Sequence, residues 1–135
     1  MKKVKITLVS TTTADGQTDK SSFTYDGMLE KIGDADYLKY SEITEGARIN
    51  TVIKARGSVV IITRTGGFGS VLKIEEGKAH KTEYNTPYGA FVMAVKGEKC
   101  VNRLSFDGTL TAEYTLLNEM GVIGRNKIEI TAKEV

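Results

Sequence analysis

Apolar and polar residues alternate along most of the chain. Val4, Ile6 and Leu8 alternate with Lys3, Lys5 and Thr7, and Ile49, Thr51, Ile53 and Ala55 alternate with Arg48, Asn50, Val52 and Lys54. The same beat returns in Leu110, Ala112, Tyr114 and Leu116 and in Ile128, Ile130 and Ala132. A period of two sends one set of side chains to a buried face and the other to water, the pattern of antiparallel strands. Abundant β-branched residues favour the same state. No segment carries a helical period; residues 118–124 are the least strand-like and are expected to hold a turn of helix.

Glycines punctuate these strands. Gly16, Gly33, Gly46, Gly57, Gly67, Gly77, Gly97, Gly108 and Gly121 recur at intervals of roughly ten to seventeen residues, and Thr86-Pro87-Tyr88-Gly89 fills the one wide gap. Most stand beside a polar residue, as in Asp15-Gly16 and Asp107-Gly108, which marks hairpin turns. Short connections keep neighbours in sequence neighbours in space. The pattern predicts one all-β domain over residues 1–135, an antiparallel up-and-down meander closing into a barrel of about eight to ten strands. A two-sheet sandwich is the alternative. Asp26-Gly27 interrupts its strand and predicts a bulge or sharp bend. Val59, Val60, Ile61 and Ile62 are apolar on both faces, which predicts an overlying loop or a homodimer through that strand.

Composition adds mainly exclusions. The 135 residues hold 19 Lys+Arg against 17 Asp+Glu, with one Cys, one His and no Trp. A net charge of +2 is too small to predict a nucleic-acid or membrane partner. One Cys excludes an internal disulfide, and one Cys with one His leaves no basis for a zinc centre; no metal and no cofactor are expected. The N-terminal apolar residues are interrupted by Lys5 and Thr7, unlike a signal peptide, so a cytoplasmic location is expected. Cys100 reads as a small buried residue and His80 as a surface or hydrogen-bonded one. Gly66-Gly67-Phe68-Gly69 lacks the Lys and following helix of a phosphate loop and reads as a hairpin loop.

The remaining chemistry lies at polar residues that share parity with apolar ones. Leu38, Tyr40 and Glu42 point one way; Val60, Ile62 and Arg64 share a face; Thr51 joins Ile49 and Ile53. An inward Glu42 and an inward Arg64 should pair, because isolated buried charge is costly. Two readings stay open. The pair plugs one barrel end and fixes register, or it orients a polar or anionic ligand in a cavity lined by Tyr40 and Tyr114. No nucleophile–base–acid spacing supports catalysis.

Several motifs come in a recognisable order: Tyr37-Leu38-Lys39-Tyr40-Ser41-Glu42, Thr51-Val52-Ile53-Lys54, Ile62-Thr63-Arg64-Thr65-Gly66, Tyr84-Asn85-Thr86-Pro87-Tyr88-Gly89 and Ala112-Glu113-Tyr114. In this order they resemble the YwiB-like family of small bacterial proteins, a domain of unknown function. The resemblance implies a calycin-like β-barrel, akin in shape to lipocalins. Tyr40, Glu42, Thr51, Arg64, Thr86, Tyr88, Gly89 and Tyr114 match the family pattern, and of these Tyr40, Glu42, Thr51, Arg64, Tyr88 and Tyr114 are taken here as candidate ligand-binding residues. It assigns no activity. The reading is therefore a non-catalytic barrel that binds a small ligand inside, with a side-chain-filled interaction or dimerisation module as the alternative.

Overall fold

The computed structural model describes residues 1–66 and 69–135, with residues 84–86 described by their backbone alone. Ten strands follow one another: β1 (Lys2–Ala14), β2 (Gln17–Ile32), β3 (Ala35–Thr44), β4 (Ala47–Arg56), β5 (Val59–Thr65), β6 (Ser70–Glu75), β7 (Ala79–Thr86), β8 (Gly89–Arg103), β9 (Thr109–Asn118) and β10 (Gly121–Glu134). They form a single ten-stranded sheet, so the sandwich alternative falls. Every ladder is antiparallel, and β1 pairs with both β2 and β10. The sheet curls into a nearly closed meander barrel with β6 and β7 at its two edges. Several turn glycines hold the expected positive φ; Asp15-Gly16 and Glu45-Gly46 have both residues there, as primed hairpin turns require.

Among the described residues, the seam between β6 and β7 closes without a regular ladder. Thr82 Oγ1 donates to the Val71 carbonyl at 2.7 Å, and the Cys100 thiol lies 3.7 Å from the Ile74 carbonyl. Below β7, the Gly97 backbone of β8 presses against Glu75 so tightly that a Cβ there would collide with the Glu75 carbonyl. Gly97 is thus not a turn glycine. It stands inside β8 at a register shift and lets the two edges meet.

Inward residues divide the barrel into two halves. In the lower half, Ile6, Leu38, Ile53, Ile74, Leu110 and Ile130, from six strands, are fully buried. Each such burial contributes about 1.5–3 kcal/mol. Leu104, in the β8–β9 connection, closes this end and is 4% exposed. Asp36 pins that connection: it accepts from Ser105 Oγ at 2.7 Å and from Asn102 Nδ2 at 3.0 Å. Asn102 Oδ1 in turn accepts the Leu104 amide at 3.1 Å.

Above the core the wall splits. β3 pairs with β2 only as far as Gly27–Tyr40, beyond which residues 17–26 of β2 keep β1 alone as a ladder partner. No bulge occurs at Gly27, where register is unbroken. The glycine marks a close approach instead: a Cβ would stand 2.5 Å from the Lys39 carbonyl oxygen and 2.6 Å from Ile6 Cδ1.

Two further expectations change. Residues 118–124 hold no helical turn. Glu119 and Met120 form a hairpin turn, Asn118 Oδ1 accepts the Met120 amide at 2.8 Å, and β10 carries a register shift between Val122 and Gly124. Among the described residues no loop segment covers the outer face of β5. Val59 and Ile61 are flanked there by Arg56, Lys54 and Lys73 on the neighbouring strands, whose aliphatic stems can cover apolar surface. Gly67 and Phe68 of the expected hairpin loop lie outside the described residues.

Gly27→Ala should destabilise the chain by about 1–3 kcal/mol through overpacking. Urea unfolding monitored by circular dichroism checks this; an unchanged midpoint would mean that the approach of Lys39 and Ile6 is not tight.

Candidate ligand-binding site

The upper half of the barrel holds a cavity of about 310 Å³, open at the mouth. Its walls include Ile53, Ile62 and Leu72 below and Tyr25, Tyr40, Glu42, Arg64 and Tyr114 above. Strand parity places each of them. Tyr40, Thr51 and Arg64 stand abreast on the inner face of β3, β4 and β5 as direct cross-strand partners. Glu42 follows Tyr40 by one pleat.

Arg64 and Glu42 do pair, with Nη2 to Oε1 at 3.0 Å. Their side chains keep 44% and 24% exposure, so the pair does not seal an end of the barrel as a buried plug would. Exposed pairs of this kind contribute about 0.2–1 kcal/mol. The other carboxylate oxygen, Oε2, accepts from the Tyr25 hydroxyl at 3.4 Å. The chain Arg64–Glu42–Tyr25 therefore runs from β5 through β3 to β2, across the split where backbone bonding has stopped. Tyr25 and Tyr40 stack beside it with ring centroids 4.2 Å apart, and Phe23 extends the pile with its centroid 6.3 Å from Tyr25.

Burial pushes the Tyr25 phenol up to about 12, and the Glu42 carboxylate beside it adds to the rise. Burial raises the Tyr40 phenol as well. Both rings thus remain neutral hydrogen-bonding groups across the physiological range. Thr51 is 1% exposed, and its hydroxyl partly offsets the rise at the neighbouring Tyr40 phenol.

Of the six residues expected here, Tyr40, Glu42, Arg64 and Tyr114 line this cavity, whereas Thr51 is buried between Tyr40 and Arg64 and does not reach it. Tyr88 does not join them; it is 92% exposed at the β7–β8 turn. Sequence reading missed Tyr25, which lines the cavity, and Asn126, which lies outside it. Tyr25 lies directly opposite Ile6, and Asn126 opposite Tyr114. Parity with Leu29 and with Ile128 was the available signal. Asp36 was missed too, although it shares parity with Leu38, Tyr40 and Glu42. Cys100 and His80 behave as expected of structural residues. Burial lifts the Cys100 thiol to about 11, and His80 Nε2 lies 2.8 Å from Glu75 Oε1.

A model of the family described as "Domain of unknown function (DUF1934)" matches residues 6–130. The chain belongs to this DUF1934 family. Among solved structures, the ywiB protein from Bacillus subtilis is similar, with a TM-score of 0.75 over 96% of this chain and 91% of that one. At 14% identity this likeness shows the fold alone. It agrees with the family resemblance carried by the motifs. No curated protein matches the chain. The DUF1934 assignment brings no activity with it, so function must be argued from the cavity.

Because the folded chain favours the protonated Tyr25 phenol, the stability linked to this group is full below its ordinary value of about 10. It is lost as pH rises through about 12. Glu42→Gln removes the negative neighbour and should lower the Tyr25 pKa. Tyrosine Cζ chemical shifts followed against pH check this, and an unmoved Tyr25 titration would contradict the Glu42 contact.

Proposed function

We propose that this chain is a non-catalytic binding protein that takes a small ligand into the open half of its barrel. The cavity carries the reading. A volume of about 310 Å³ lies at the lower end of small-molecule sites, and it combines apolar walls with a few convergent polar groups. The lower half is filled with side chains, so within the barrel the described residues leave room for a guest in the upper half. A calycin-like role, as in lipocalins, belongs to this reading by fold analogy alone. A cytoplasmic home is also part of it, in keeping with a single Cys that forms no disulfide.

Native mass spectrometry of the purified full chain tests this. The expected result is a bound small mass that is released on denaturation and absent from Leu72→Trp, a substitution that fills the cavity. A mass retained in Leu72→Trp with an unchanged melting temperature would place the guest elsewhere. An empty protein that also shows no amide shifts at Tyr40, Ile62 or Tyr114 with a fragment library would sink the reading.

The second reading, a homodimer through Val59 and Ile61, is supported by their apolar outer faces, which line a groove of about 450 Å³. Lys54, Arg56 and Lys73 border the same groove. Arg56 is paired with Asp34, which also borders the groove, so two copies placed face to face would bring Lys54 and Lys73 together, and this weighs against a symmetric contact. Sedimentation equilibrium should accordingly give a monomer mass; a dimer mass lost in Ile61→Lys would reverse the order of the two readings.

A further inference from the structure

The two sides of the barrel differ on their outer faces. Over β1, β10 and β9, Thr7, Thr131 and Thr109 stand abreast, and Glu113 faces Lys127 across the strands. That side is an ordinary wet surface with both signs of charge. Over β2–β6, one outward row runs Lys3, Met28, Lys39 and Val52. The next runs Tyr37, Lys54, Ile61 and Lys73. Apolar residues and cations thus alternate from strand to strand.

Two grooves follow these rows. One, of about 710 Å³, lies where β2 and β3 part and holds Met28 and Val52 between Lys3, Lys39 and Arg48. The other is the groove of about 450 Å³ at Val59 and Ile61, bordered by Lys54 and Lys73. They are neighbours, because Val52 and Lys54 are successive outward residues of β4, about 7 Å apart. Met28, Val52, Val59 and Ile61 are half-buried, so they form floors rather than crests.

The charge of this wall is one-sided. Glu30 lies 3.8 Å from Lys39, and Asp34 lies 3.0 Å from Arg56. Asp26 stands opposite Lys5. Lys3, Arg48, Lys54 and Lys73 make no ion pair among the described residues. Lys54 Nζ lies 5.7 Å over the Tyr37 ring, a contact that keeps its charge. A positive field steers an oppositely charged partner, and the apolar floors add burial once it is seated. A second copy would set these cations against themselves. A bilayer takes up apolar groups that project, and a single-stranded nucleic acid stacks on open rings. Here the floors are recessed and Lys54 covers Tyr37.

We propose that the outer wall of β2–β6 docks an acidic segment of another protein. Its carboxylates meet Lys3, Arg48, Lys54 and Lys73, and apolar side chains between them enter the two grooves. This contact is separate from the cavity and goes beyond the binding reading.

A fluorescent peptide of about nine residues, alternating glutamate with leucine, spans ~30 Å when extended and serves as the probe. It is titrated into the full chain with amide shifts recorded in parallel. It should move Met28, Val52 and Ile61, and its affinity should fall as salt is raised. Two variant peptides separate the contributions: lysine for glutamate tests charge, and serine for leucine tests the floors. Each should bind at least about fivefold more weakly. Lys54→Met and Lys73→Met together should weaken the acidic peptide about fivefold at an unchanged melting temperature. Lys99→Met removes a cation opposite Glu113 on the other wall and should leave the affinity unaltered. Equal affinity for the glutamate and lysine peptides, or shifts confined to β8–β10, would overturn the proposal and leave the cavity reading standing. A dimer mass in sedimentation equilibrium, with the wall amides moving on dilution, would give the surface to a second copy and overturn the acidic segment. Anionic vesicles moving these amides where the peptide does not would overturn it in favour of a membrane.

Discussion

Everything above and below the middle of this barrel depends on the close approach at Gly27. Ile6 and the Lys39 carbonyl occupy the space that any larger residue would need. This contact lets β2 and β3 stay paired around a dry lower half. It also marks where their pairing ends. Past it, the two strands separate, and aromatic rings and a carboxylate take over from backbone hydrogen bonds. Core and cavity are thus two consequences of one local constraint.

β3 shows how one strand serves both halves. Its inward residues run Asp36, Leu38, Tyr40 and Glu42. The first is a buried carboxylate with no ion pair among the described residues, satisfied by Asn102 and Ser105, and it fastens the closed end. The last is a half-exposed carboxylate satisfied by Arg64 and Tyr25, and it spans the split wall. The side-chain chemistry is the same, but solvent access differs. Asp36 gives fixed geometry to a loop, whereas Glu42 belongs to a surface that water and a guest can reach.

Much of the fold was legible because alternation and turn glycines are local signals. A meander of eight to ten strands, its antiparallel order and the inward set Tyr40, Glu42, Thr51, Arg64 and Tyr114 all follow from period two. What escaped reading was contact between segments distant in sequence. Gly27 and Gly97 look like the other glycines until the backbones of β3 and β6 are set against them. Tyr25 gains its role only through Glu42 on the next strand, and Asn126 only through Thr12, more than one hundred residues away. Tyr88 shows the converse error. Membership of a motif carried it into the candidate set, while its position at the tip of a turn keeps it outside the cavity.

The barrel has two joins of opposite kind. Strands far apart in the chain, β1 and β10, are zipped through ten residue pairs, from Val4–Glu134 to Thr13–Arg125. Strands adjacent in the chain, β6 and β7, meet through side chains and a short connection at 76–78. The sheet therefore has a natural reading order that differs from the order of synthesis: β7 to β10, then β1 to β6. A chain opened at 76–78 and joined from Val135 to Met1 would run through the sheet as one uninterrupted meander. In the present order, the longest-range pairing lies at the centre of the sheet, so the join between the two ends of the chain carries the largest entropic cost of closure.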